Sequence, residues 1–586
     1  MGDYTISDIY QGGYSSLKSD YGNLFTGYRT PINKIGVSTD ARTASILKEV
    51  SDKLTPGQKV IELSLISPEN LEAVPKQELE EVKRLSQLTG VDVTVHGPLI
   101  DASGVTDRGF TESNREVSER KILYTVEKSH EINPNGNIPV TFHTSNRLPG
   151  AVYRKEKDAN GKEIEVIDQM PIVNQETGQM NLAKRDVKFY AGRNLGKGEI
   201  RDVYKQLEEM NNTEWENALQ QMIIPKEHAD KILRETEPII SQIALKEKKG
   251  IVLTPEDMQI KSRYENAEEQ IKDMYSHLQT LFNRAYKYGT EEKREGLKKI
   301  SKEFGKRLGE AHNRNQSSFA MQKLMEDLRP LNPEIYKPAE TFALEKSAQS
   351  FGNAAFAAYD KFKDKSPIIS IENPPAGFGL SRAEDVKKMV EGSRKQFIMK
   401  ATEKGMSASD AKKQAEKLIG VTWDVGHINQ LRQFGFTSEE IIKEAEKVAP
   451  FLKHVHLSDN FGMENVELPM GMGNVDFKEV MDALRKKGGK VDDVRQIVEA
   501  AHWWQFQKTS PIGPTFEALG SPFYSGTAPY WNQAVGLTQG YFGGYGGMLP
   551  PINYETFGAG FSNLPAELGG QRQQRGGSRM GGTPME

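Results

Sequence analysis

The 586-residue chain contains no cysteine. Disulfide staples, thiolate metal ligands and cysteine nucleophiles are thereby excluded, and any metal must be held by histidine, aspartate or glutamate. It also lacks a strong excess of either charge. Its 77 Lys and Arg against 81 Asp and Glu give a formal net charge of −4, so the basic footprint of nonspecific nucleic-acid binding is absent, although a local patch can hide in a neutral total. No apolar run reaches membrane-spanning length, and the opening MGDYTISDIYQGGYSS has neither a basic nor an apolar leader region. The expectation is a soluble, cytoplasmic protein with no membrane partner. With 37% hydrophobic residues the chain can bury at least one large core, and its length suits two or three domains.

What is present is a regular alternation of strand and helix signals. Short β-branched runs occur at residues 33–39, 58–65, 91–98, 137–144, 366–373, 419–426, 451–459 and 493–500, with segments of helical periodicity between them. Several of those segments open at Ser, Thr, Asp or Pro and close at Gly or Pro, as capped helices do. Eight β-then-α units with largely apolar strands predict an α/β chain folded as a (β/α)8 TIM barrel. A doubly wound sheet is the alternative, but no Gly-rich phosphate loop follows the first strand.

One spacing is anomalous. Strand four ends near residue 144 and strand five begins near 366, whereas a crossover needs a single helix, here residues 341–362. The expected organisation is an N-terminal extension over 1–30, the first half of the barrel over 31–150 and a large, mostly helical insertion over 151–340. The second half of the barrel follows over 341–505. The insertion begins with hairpin signals, DANGKE and NQETGQ, and is read either as a lid or partner-binding arm or as a solvated bundle with no part in chemistry. Beyond it lie a Gly/Pro/aromatic-rich C-terminal extension over 506–570, which could meet a protein partner, and a disordered Gly/Arg tail over 571–586.

Active sites of such barrels sit at the carboxyl ends of the strands, so a polar residue closing an apolar run points into the mouth. Strand three closes with His96, strand four with His143, strand five with Glu372, strand six with Asp424, strand seven with His456 and strand eight with Glu499. His, Asp and Glu make up about one residue in six, so six strands of eight closing this way is more than composition supplies. Carboxylates and imidazoles crowded into one mouth would shift one another's pKa sharply unless a cation sat among them. Imidazole and carboxylate without sulfur suit Zn, Mn, Fe or Co better than Ca or Mg. His454 points the same way as His456 but deeper, and is read as core or as a residue supporting the ligands. Glu62, inside strand two, is read as a packing or supporting residue and not as a ligand.

The stretches TVHGPLIDASG, TFHTSN, SIENPPAGFG, WDVGHINQLRQFG, HVHLSDNFGMENVELPMGMGNVDF and IVEA resemble motifs of the xylose isomerase-like TIM-barrel superfamily, above all its endonuclease IV branch (AP endonuclease family 2). The resemblance covers about 30–150 and 341–505. It implies two or three divalent ions, zinc foremost, with Mn or Mg as the alternative. His96 and His143 would bind the first ion with Glu372 as a bridge, and Asp424, His456 and Glu499 with Glu372 the second. His427 would bind a third. There the chain departs from the family: the expected Asp-x-His pair is Asn465 and Glu467, so Glu467 is the remaining candidate ligand. The Gly-Glu-Gly loop also reads Gly471-Met472-Gly473, and Leu99 stands where a Tyr is often found.

Three functions stay open at this point. A hydrolase would cleave a phosphodiester, such as DNA with abasic sites, by metal-activated water. A sugar isomerase or epimerase, acting on a sugar or phosphorylated small molecule, would use one metal with Glu372 and Glu499 moving protons as catalytic bases. A scaffold would use the barrel without catalysis.

Overall fold

The computed structural model describes residues 33–519, apart from 41–44, 55–57, 67–71, 159, 190, 192–197, 311–313, 501–502 and 504–510, together with 26, 28 and 30. Nearly all of the expected N-terminal extension over 1–30, the bulk of the aromatic extension and the Gly/Arg tail fall outside the described residues. The chain divides into two compact units, Met1–Val166 with Glu340–Glu586, and Ile167–Ala339.

The first unit is a closed barrel of eight parallel strands in sequential order. They are β1 Ile35–Ser38, β2 Val60–Ser64, β3 Asp92–His96, β4 Pro139–His143, β5 Ile368–Glu372, β6 Ile419–Asp424, β7 Leu452–Leu457 and β8 Arg495–Val498. Each falls inside one of the eight runs seen in the sequence. Alternation along the strands sorts side chains between two faces. Outward positions such as Leu63, Val95, Phe142, Ile371, Trp423 and Val455 are fully buried beneath the helices. Phe142, for example, meets Phe351 of the helix Ala339–Phe362 at 6.1 Å between ring centres.

The inward positions are unusual. Barrel interiors are ordinarily filled with branched aliphatics, but here the residue two before each mouth residue of β3 to β7 is polar, namely Thr94, Thr141, Ser370, Thr422 and His454, and Glu62 on β2 joins them, each wholly buried. They meet one another in two arcs, with Glu62 Oε1 and His454 Nδ1 in no hydrogen bond of regular geometry among the described residues. Thr422 Oγ1 lies 3.0 Å from Thr141 Oγ1 and donates to Ser370 Oγ at 2.7 Å. Thr94 Oγ1 donates to Glu62 Oε2 at 2.9 Å, and His454 Nε2 reaches the same oxygen across the barrel at 3.0 Å. Pairing of the donors is what makes so polar a floor tolerable.

The hairpin signals resolve as turns. Residues 158–162 join the strands Val152–Lys157 and Glu163–Asn174, and residues 175–179 join the latter to Met180–Lys184, with Gly161 and Gly178 at positive φ. The second unit is dominated by four helices, Val203–Lys248, Pro255–Tyr288, Glu291–Gly309 and Arg314–Leu328. Buried residues on the first recur at intervals of three and four (Leu207, Asn211, Trp215, Leu219, Met222, Lys226, Ala229, Leu233), a single buried, mostly apolar stripe. Trp215, Leu219, Leu278, Leu297, Leu324 and Leu328 join in one core. No described helix is long and apolar enough to cross a membrane.

Candidate metal centre

The mouth of the barrel gathers six of the eight residues singled out in the sequence. Glu372 closes β5 at its centre and is wholly buried. Its Oε2 lies 3.2 Å from His96 Nε2 and 3.2 Å from His143 Nε2, while its Oε1 lies 2.8 Å from His456 Nδ1. His456 Nδ1 is also 3.3 Å from Glu499 Oε1. Donor atoms of His96, His143 and Glu372 lie within 4.8 Å of one another, and so do those of Glu372, Asp424, His456 and Glu499. The two sets share Glu372, which offers one oxygen toward each.

Local folding fixes which atom each side chain presents. His96 Nδ1 is held by the carbonyl of Gly97 at 2.9 Å, leaving Nε2 to face Glu372. Asp424 ends β6 as the N-cap of the short helix Val425–Asn429, its Oδ1 accepting from the amides of Gly426 and His427 at 2.7 and 2.8 Å. Ser458 Oγ donates to the same carboxylate.

His427 and Glu467 are placed differently. His427 Nδ1 is 2.8 Å from the carbonyl of Asn373 and 3.9 Å from Glu372 Oε1, so Nε2 is its remaining ring nitrogen. Glu467 and Asn465 share with His427 the wall of the mouth cavity, about 340 Å³ in volume. Among the described residues neither His427 nor Glu467 joins a close group of three or more donors. Asn465 Oδ1 instead accepts from Gln430 Nε2 at 2.8 Å.

Asp459, two residues past the end of β7, does not enter the cluster. Its carboxylate accepts from four backbone amides: Gly471 and Gly473 at Oδ2 (both 2.9 Å), Asn460 (2.9 Å) and Val475 (3.1 Å) at Oδ1. The glycines are required there. Gly471 has φ of 84°, and a Cβ on Gly473 would stand 2.3 Å from the carbonyl oxygen of Asn460. Asp459 thus pins the loop that carries Asn465 and Glu467 over the mouth.

The electrostatics are those of protons standing where cations would. Burial alone would raise Glu372, but the imidazoles of His456 and His143 hold it well below the usual carboxylate range. Burial alone would lower His96, yet its contact with Glu372, with Glu499 and Glu62 behind it, carries it up to about 9. At His143 burial prevails over Glu372 and the ring sits below its ordinary value. Burial raises Asp424 against the pull of His427. The donors fit a divalent metal: imidazole and carboxylate only, almost wholly buried, with Glu372 Oε2 in no hydrogen bond of regular geometry among the described residues.

Strand-end reasoning did not anticipate the floor beneath this cluster, although the signal was present. The residue two before each closing residue on β3 to β7 is Thr, Thr, Ser, Thr or His, a period-two polar pattern.

Comparison with known proteins agrees with this picture. Residues 356–502 match the family described as xylose isomerase-like TIM barrel. A 72-residue stretch is 32% identical to an uncharacterized protein of Methanocaldococcus jannaschii, spanning 12% of this chain and 23% of that protein. Among solved structures, a D-psicose 3-epimerase with D-tagatose from Clostridium cellulolyticum is similar at 8% identity, over 83% of this chain and 96% of that one, with a TM-score of 0.35. A 3-keto-D-glucoside 4-epimerase from E. coli is similar at 11% identity over 83% and 97%, with a TM-score of 0.34. Likeness of that size does not speak to a shared reaction. Over residues 356–502, which fall in the second half of the closed parallel barrel, the chain is similar to the xylose isomerase-like TIM-barrel family.

Proposed function

We propose that the chain is a metal-dependent hydrolase whose mouth holds two divalent cations, zinc foremost, bridged by Glu372, and that it cleaves a phosphodiester. The observation that carries this reading is the division of labour within Glu372: Oε2 faces His96 and His143, and Oε1 faces His456 with Glu499 beside it. A mononuclear site would leave His96 and His143 without work. Bound there, a pair of cations would activate water and stabilise charge on a phosphate oxygen. The protein's own part is to fix the donors, through the Gly97 carbonyl on His96 and the helix cap at Asp424, and to seal them from bulk water. Glu499, largely buried but lining the cavity, is placed to act as a base there.

A second reading has its own observation. The described wall of the cavity contains Ser38, Thr39, Asp40, Ser64, Ser145 and Asn146 but neither lysine nor arginine, a lining that suits the hydroxyls of a sugar better than a polyanion. A sugar isomerase or epimerase would use Glu372, Asp424, His456 and Glu499 around one metal, Mn or Mg as well as zinc.

The deciding experiment offers the zinc-loaded protein an abasic-site DNA duplex and, separately, a panel of ketoses and their phosphates. Duplex cleavage by the parent and its loss in Glu372→Gln supports the hydrolase. Sugar interconversion without cleavage supports the epimerase, and neither activity in a metal-free chain supports a scaffold.

A further inference from the structure

The buried floor holds one group whose presence packing does not explain. Glu62, on β2, is a wholly buried carboxylate at the barrel axis, and its ion pairs are with two imidazoles, His454 and His456. A site used for packing alone would be cheaper to fill with an aliphatic side chain, because a carboxylate loses several kcal/mol of hydration, roughly, on burial.

We propose that Glu62 is a positioning residue for the metal centre: it accepts from Nε2–H of His456, which keeps the ring's one proton on Nε2 and leaves Nδ1 as the ligand atom. The inference rests on the metal reading given above. A neutral imidazole carries one proton, and the nitrogen without it is the one that can bind a cation. His456 Nδ1 is the nitrogen beside Glu372 and Glu499, at 2.8 and 3.3 Å. Its Nε2, on the far edge of the ring, is 3.1 Å from Glu62 Oε1. The ring is wholly buried, so no bulk water competes for that proton.

Glu62 is itself held. Its second oxygen, Oε2, receives Thr94 Oγ1 at 2.9 Å and His454 Nε2 at 3.0 Å. The backbone register builds this arrangement: Glu62 pairs with Thr94 across β2 and β3, and His454, two residues before His456, shares its inward face one layer deeper. His454, Glu62 and His456 therefore form a chain that runs from the floor to the cluster. Each imidazole faces its own oxygen: His454 Nε2 in a hydrogen bond to Oε2, and His456 Nε2 as an ion pair 3.1 Å from Oε1, outside regular hydrogen-bond geometry. Outer carboxylates of this kind orient histidine ligands and strengthen them as donors.

The test is a cobalt(II) titration of the metal-free protein, read by visible absorption, for the parent, Glu62→Gln, Thr94→Val and Glu372→Gln. An amide at 62 can accept from only one of the two imidazoles. The expected result is two ions in the parent. In Glu62→Gln one ion should bind about 10- to 100-fold more weakly, with its absorption band shifted, while the His96/His143 ion is unmoved. Glu372→Gln should weaken both. Unchanged affinity and spectrum in Glu62→Gln, or an equal loss at both ions, would overturn the proposal. So would a third ion in the parent that only Glu62→Gln loses, because Glu62 would then be a ligand. If Glu62→Gln does not fold, Thr94→Val, which unfastens Glu62 without removing it, should show a smaller loss at the same ion, and no loss there would be decisive against the proposal. A parent that takes up no cobalt would sink the metal reading itself, and this inference with it.

Discussion

At the scale of the residue, the centre turns on the competition between protons and cations for the same lone pairs. His96 stands at about 9 in the folded, metal-free protein against an ordinary value near 6.5. A raised folded value means that its contribution to stability is complete below about pH 6.5 and is lost as pH climbs through about 9. The metal-free protein is expected to melt on the order of a few degrees lower at pH 9.5 than at pH 6.5, measured by scanning calorimetry. With zinc present, the order between pH 6 and pH 8 should reverse, because deprotonated rings bind the ion; a melting temperature indifferent to zinc at both values would count against the site. The six strand-end ligand candidates were legible because they obey one rule, a polar residue closing an apolar strand. Glu62 was visible as a residue but not as a participant, since its role depends on His456, nearly 400 positions away, and on which ring nitrogen faces which carboxylate.

At the scale of the element, the loop after β7 depends on Asp459. Its four amide bonds place two donors on each oxygen. Asp459→Asn keeps an acceptor for one pair and turns an NH2 against the other, at a cost of about 1–3 kcal/mol. The expected outcome is faster amide exchange over residues 471–475, with protection of β5 and β6 unchanged. Equal protection in both proteins would show that the loop is held by other means. Asp459 lies two residues past the end of β7, and its spacing from His456 does not by itself separate a ligand from a loop anchor. The eight strands were readable from β-branched runs bounded by turn residues. The inner polar floor was not read, because alternating Thr and Val in a strand looks like ordinary β propensity until the inward face is known.

At the scale of the molecule, the long gap between β4 and β5 was legible as an insertion because a crossover needs one helix, and the hairpin turns at 158–162 and 175–179 were marked by Asn and Gly. The boundary was not legible to the residue: the compact division falls at 166/167 and 339/340, since the strand Glu163–Asn174 continues from one unit into the other. That strand pairs Asn174 with Tyr336 in antiparallel register. The two ends of residues 175–335 therefore stand side by side, and a two-residue turn can replace the whole stretch. The shortened chain should retain both metal ions, counted by elemental analysis; their loss would assign the excised residues a part in building the centre. Retained metal with lost activity would assign them to substrate instead.

The central claim, that Glu372 joins two groups of ligands around two cations, is tested most directly by anomalous diffraction at the zinc edge from crystals of the zinc-loaded protein. The account predicts two peaks on either side of the Glu372 carboxylate, one beside His96 and His143 and the other beside Asp424, His456 and Glu499. A map with no peak at the barrel mouth would contradict it.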